Sequence, residues 1–87
     1  MNKNKSKLIR LNKIEDIKKF ANIVVKYESE INIYCGSEFY DAKSIMAIFA
    51  LDTSVPRYVE IMSDDEEEVS KFLGQMEQFT LKETENE

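Results

Sequence analysis

The spacing of apolar residues changes several times along the chain, and each change marks an element. In "KLIRL" (residues 7–11) they alternate, which reads as a strand with Ile9 and Leu11 on one face. The spacing then becomes helical: Ile14, Ile17, Phe20, Ala21 and Val24 form one stripe of an amphipathic helix ending near Tyr27. "NKIE" in front of it has the form of a capping box, with Asn12 as the expected N-cap and Glu15 reaching back. "EINIYC" alternates again and sets Ile31, Ile33 and Cys35 against Asn32 and Tyr34. Gly36 and Ser37 are turn residues from which "EFYDA" returns as the second arm of a hairpin. Asp41 is the expected N-cap of a short helix running to about Leu51, in which Ile45, Ile48 and Leu51 are candidates for the core. Pro56, which has no amide hydrogen, breaks the chain before the alternating "RYVEIM", with Val59 and Ile61 inward. "SDDE" suggests a second capping box, Ser63 with Glu66, ahead of a helix whose stripe is Val69, Phe72, Leu73, Met76 and Phe79.

The element order is therefore β-α-β-β-α-β-α. A hairpin demands antiparallel pairing, and single-striped helices need a sheet to cover, so helices on one face of a four-stranded antiparallel sheet are expected, an α+β fold. A ferredoxin-like chain shares most of this order, so order alone leaves the topology open. One domain over residues 1–87 is expected, with a core spanning about 7–80 and frayed ends at 1–6 and 81–87.

Composition narrows the function classes. Apolar residues make up 43% of the chain, enough for one core. No apolar run approaches ~18 residues and "MNKNKSK" lacks the apolar stretch of a signal peptide, so neither a membrane span nor export is expected. Cys35 is the single cysteine, which fits a reducing cytoplasm; it is expected in the core, with no basic neighbour to make it reactive. There is no histidine at all, which removes the commonest general base near neutral pH and nearly excludes a structural zinc site. No catalytic motif is recognisable, and neither an enzyme nor a cofactor is expected.

The net charge of −5 is unevenly spread: residues 1–19 carry +5 and residues 60–87 carry −8. An acidic total argues against a nucleic-acid binder. The acid run Asp64, Asp65, Glu66 and Glu67 stands where it favours a helix dipole, so it needs no metal to explain it.

At "KSIM" the sequence resembles the HPr phosphocarrier family of the sugar phosphotransferase system. "AKSIMAIFALD" (residues 42–52) is similar to the family's "LKSIMGVMSLG", with Ala47 in place of the usual glycine. "KYESEINI" (residues 26–33) stands where family members carry "KYDADVNL", and "DEEEVSKFLGQME" occupies the place of their last helix. The resemblance runs without a gap from about Leu8 to Phe79 and implies an open-faced β-sandwich of four antiparallel strands covered on one face by three helices.

What the resemblance implies about function is split. The family's phospho-accepting histidine opens the first helix in a "HARP" motif, and "KIED" stands there: Lys13 at the histidine position and Glu15 at the arginine position. A protonated lysine is no nucleophile at neutral pH, and a carboxylate repels the phosphoryl group a guanidinium would clamp. The chain is thus identified as a divergent member unable to carry phosphohistidine, Crh-like in that respect. Ser44 matches the serine phosphorylated in many family members, and Ile45, Met46 and Phe49 match their docking surface. The resemblance therefore implies a regulatory protein-binding module that docks through Lys13, Ile45, Met46 and Phe49, with Ser44 as a regulatory phosphorylation site. HPr kinase, enzyme I and a LacI-type regulator are the candidate partners, and a monomer or weak homodimer is implied. The alternative is a degenerate phosphocarrier with only a structural or assembly role.

Overall fold

The computed structural model describes residues 1–80. Four strands, β1 (Ser6–Ile9), β2 (Glu30–Cys35), β3 (Glu38–Asp41) and β4 (Arg57–Met62), form one sheet in the order β1-β4-β2-β3. All three pairings are antiparallel. A ferredoxin-like chain would also pair every strand antiparallel but in the order β4-β1-β3-β2, with β1 and β3 central; here β4 and β2 are central, so that topology is excluded and the HPr-like open-faced sandwich is the one formed. The β2–β3 hairpin closes through Gly36 and Ser37, with Cys35 opposite Glu38. Gly36 takes the first loop position with φ +64°, a left-handed backbone that glycine adopts without a Cβ clash.

Three helices cover one face: α1 (Ile14–Val24), α2 (Ile45–Ala50) and α3 (Glu66–Met76). Because strand side chains alternate, Ile9, Ile31, Ile33, Val59 and Ile61 all point to that side, where they meet Phe20, Val24, Ile48, Phe72 and Met76. Burying a side chain of this size contributes about 1.5–3 kcal/mol. Phe20 meets Phe79 edge-on at 6.1 Å, and Tyr27 meets Phe72 at 5.7 Å, fixing α1 against the end of α3. The chain returns at its far end to its start: the Arg10 amide donates to the Phe79 carbonyl (2.9 Å) and Thr80 bridges to Ile9.

Several local expectations are corrected. Residues 3–5, expected to fray, form a 3-10 turn whose leading Asn2 amide donates to Glu60 Oε2 (2.8 Å). Residues 81–87 lie outside the described residues. Asn12 does not cap α1; Lys13 is the N-cap and no side chain caps it. The reason is that Leu11 is still tied across to Thr53, so the helix cannot begin before the chain clears that contact. α3 is capped by Asp65, which accepts from the amides of Glu67 and Glu68, and not by Ser63, whose hydroxyl accepts from the Asp65 amide (3.1 Å). Cys35 is half-buried and outside the core cluster. Ile14, on the expected stripe, is exposed because it stands in the first turn, beyond the edge of the core.

Candidate functional site

The helix that carries "SIM" is set up by the last residue of β3. Asp41 pairs with Asn32 in the sheet, so it cannot also cap a helix; its side chain accepts from the Lys43 amide (2.9 Å) and its carbonyl from the Ser44 amide (3.0 Å). This turn delivers Ser44 as the N-cap, and its hydroxyl accepts from the Ala47 amide at 3.3 Å. The expectation of Asp41 as cap is thereby replaced by Ser44. Lys43 is drawn aside, its Nζ donating to the Tyr27 carbonyl.

Starting at Ile45 and ending at Ala50, α2 is too short to bury more than one residue fully. Ile48 enters the core and Leu51 packs partly against it. Ile45, a core candidate from its spacing, is instead 45% exposed, alongside Met46 at 81% and Phe49 at 53%. Three large apolar side chains on one short helix thus face solvent. Ile14, at the start of α1, is 62% exposed.

The two helix ends are held together from behind. The Leu11 amide donates to the Thr53 carbonyl (2.9 Å), and the Thr53 hydroxyl donates back to the Leu11 carbonyl (3.0 Å). Thr53 is buried, so both bonds are shielded from water. This clasp brings the segment leading into Lys13, Ile14 and Glu15 beside the segment leaving α2. Lys13 and Glu15 are exposed there. Asp52, next to the clasp, accepts from the hydroxyl and amide of Ser54, and these bonds hold its carboxyl below the usual range. The position therefore stays anionic.

The structure brings Ser44, Ile45, Met46 and Phe49 onto one short element, and the clasp ties the segment before Lys13 to the segment that follows that element. The Leu11–Thr53 pair was not visible in the sequence, since two unremarkable residues 42 apart give no local signal. Glu60 was also missed: alternation in "RYVEIM" points it away from the core, yet it is 4% exposed. The Tyr34 hydroxyl and the Asn2 amide cover its two oxygens. Among the described residues no group of three or more Cys, Asp or Glu is arranged to hold a metal ion, and no helix is long and apolar enough to cross a membrane.

Comparison with known proteins fits this geometry. The family described as the PTS HPr component phosphorylation site matches residues 16–80. The match begins just past Lys13, Ile14 and Glu15 and includes all of α2. Among solved structures, the crystal structure of HPr-C-His from Thermoanaerobacter tengcongensis is similar at 26% identity and a TM-score of 0.67, covering 85% of this chain and 92% of that one. No curated protein matches. With most of its length matched by the family and its strand order that of the fold, the chain belongs to the HPr family of the phosphotransferase system, whose members are phosphocarriers that interact with that system's other proteins.

Proposed function

We propose that this chain is an HPr-family protein that acts by being bound and not by carrying phosphohistidine. The observation that supports it most is the exposed apolar group Ile45, Met46 and Phe49 on α2, which the core does not use. The absence of any histidine from the sequence removes the family's phosphate acceptor. Lys13 stands at its position by resemblance, and with Ile45, Met46 and Phe49 it makes up the proposed docking surface. The partners proposed are HPr kinase, enzyme I or a LacI-type regulator in the cytoplasm.

Ser44 is the proposed point of control. Its hydroxyl caps α2 as an acceptor, a role that a phosphate oxygen also fills, so modification adds roughly −1.5 to −2 charges without removing the cap. That charge sits next to Ile45 and Met46 and would alter which partner surfaces the helix accepts.

The test is an NMR titration of the labelled chain with each of the three proteins from the same host. Shifts at Ser44, Met46 and Phe49 with at least one of them are expected. No shift at these residues with any partner overturns the proposal. Incubation with enzyme I and phosphoenolpyruvate should leave the chain unlabelled.

A further inference from the structure

The sheet face turned away from the helices carries an aromatic row that neither the core nor the docking helix uses. The register sets Leu8 opposite Tyr58 and Tyr34 opposite Phe39, and the β2–β4 register continued by one residue sets Tyr34 opposite Tyr58. One row, Leu8–Tyr58–Tyr34–Phe39, therefore crosses all four strands. Phe39 is 59% and Tyr58 43% exposed, and the rings of Tyr34 and Phe39 lie 5.8 Å apart.

The strand residues that carry charge on this face are acidic, and Arg10, just past the end of β1, is the cation at its edge. Glu60 and Asp41 occupy the adjacent row and Glu30 the one beyond, while no lysine or arginine of any strand points this way. One end of the face is already covered by residues 2–5 of the chain itself. Asn2 bonds to Glu60, and Lys5 of the same turn pairs with Asp64 (3.0 Å). The aromatic row, with Asp41 in the row beside it, remains open.

We propose that this open sheet face binds an arginine- or lysine-bearing segment of a partner protein. Its cations would lie over the faces of Tyr58, Tyr34 and Phe39, where the ring quadrupole attracts them, with Asp41 in the adjacent row and Glu30 farther along the same face. Aliphatic side chains between the cations would meet Leu8. A second copy of this chain fits less well, since a face-to-face pair brings the same acids together. The site lies on the opposite side of the sheet from α2, so it stands or falls independently of the docking surface proposed above.

The experiment titrates the isotope-labelled full chain with a short capped peptide alternating arginine and leucine, followed by amide shifts. Shifts centred on Leu8, Tyr34, Phe39 and Tyr58 are expected, weakening with added salt and absent for the same peptide with glutamate in place of arginine. The Phe39→Ala/Tyr58→Ala double variant, both side chains lying outside the core, should bind about tenfold more weakly. Glu30→Lys should weaken binding while leaving the rest of the spectrum unchanged. The proposal is overturned if shifts fall instead on the acidic start of α3 around Glu66, or if the glutamate peptide acts equally. It is also overturned if the same amides shift with protein concentration alone, which would make a second copy the occupant.

Discussion

Glu60 sits in the middle strand of an open sheet with both oxygens occupied, one by the Asn2 amide and one by the Tyr34 hydroxyl. Hydrogen bonds to a carboxylate are among the stronger kind, and leaving such an acceptor bare in a buried place is costly. The bond to Glu60, then burial, then the carboxylate's charge push the Tyr34 hydroxyl up from 10.0 to about 12. A value raised by folding means the folded state holds this proton more tightly than the unfolded chain. The pair's contribution is therefore complete below about pH 10 and is lost as pH rises toward 12. Tyr27, raised by burial and by Glu68, and Tyr40, raised by its bond to Glu38, also titrate late, so the comparison must be with a variant. In Tyr34→Phe, one late phenol should vanish from the ultraviolet titration. Urea stability should be lower than wild type by about 0.5–1.5 kcal/mol at neutral pH, with the two curves converging as pH approaches 12. Parallel curves across that range would mean that Tyr34 and Glu60 are not coupled in solution.

At the level of elements, the caps separate what apolar spacing determines from what it does not. Asp65 accepts from two amides of α3, at 3.0 and 3.5 Å, whereas Asn12 caps nothing. Asp65→Ala should cost about 0.5–2 kcal/mol in urea denaturation, while Asn12→Ala should stay within about 0.5 kcal/mol of wild type. Equal effects would show that the sequence motif "NKIE", and not the position of the backbone, sets the start of α1. The stripes of α1 and α3 and the alternation in β2 and β4 were legible because burial is periodic, and Phe20, Val24, Phe72, Met76, Ile31 and Val59 all lie where that periodicity puts them. The starts were not, because a cap depends on where the preceding segment is held. Asp41 is committed to pairing with Asn32, Leu11 to Thr53, and Ser63 to the turn before Asp65. Of the candidate site, Ser44, Met46 and Phe49 could be read from "KSIMAIF". The exposure of Ile45 could not, since it follows from the helix starting at Ser44 and lasting only to Ala50.

Over the whole molecule, the N-terminal segment proves to be part of the architecture through its backbone and not through its charge. The first residues, expected to fray, instead close over the one buried carboxylate of the sheet. The Asn2 amide meets Glu60 (2.8 Å), its side chain accepts from the Asn4 amide (2.9 Å), and its carbonyl accepts from the Ser6 hydroxyl (2.9 Å). The Lys5–Asp64 pair adds little, because Asp64 is fully exposed and solvent screens it. Deleting residues 1–5 removes the amide that satisfies Glu60 and at the same time opens that carboxylate to water, which recovers part of the loss. The expected cost is therefore about 1–2 kcal/mol, below that of stranding a fully buried charge. It should appear as a lower urea midpoint at nearly unchanged slope, since little surface is transferred between the folded and unfolded states. High salt should change the difference only slightly, because a shielded amide–carboxylate bond carries it and not the lysines. A loss below about 0.5 kcal/mol, or one abolished by salt, would mean that the segment is held by surface charge alone and that Glu60 is satisfied without it.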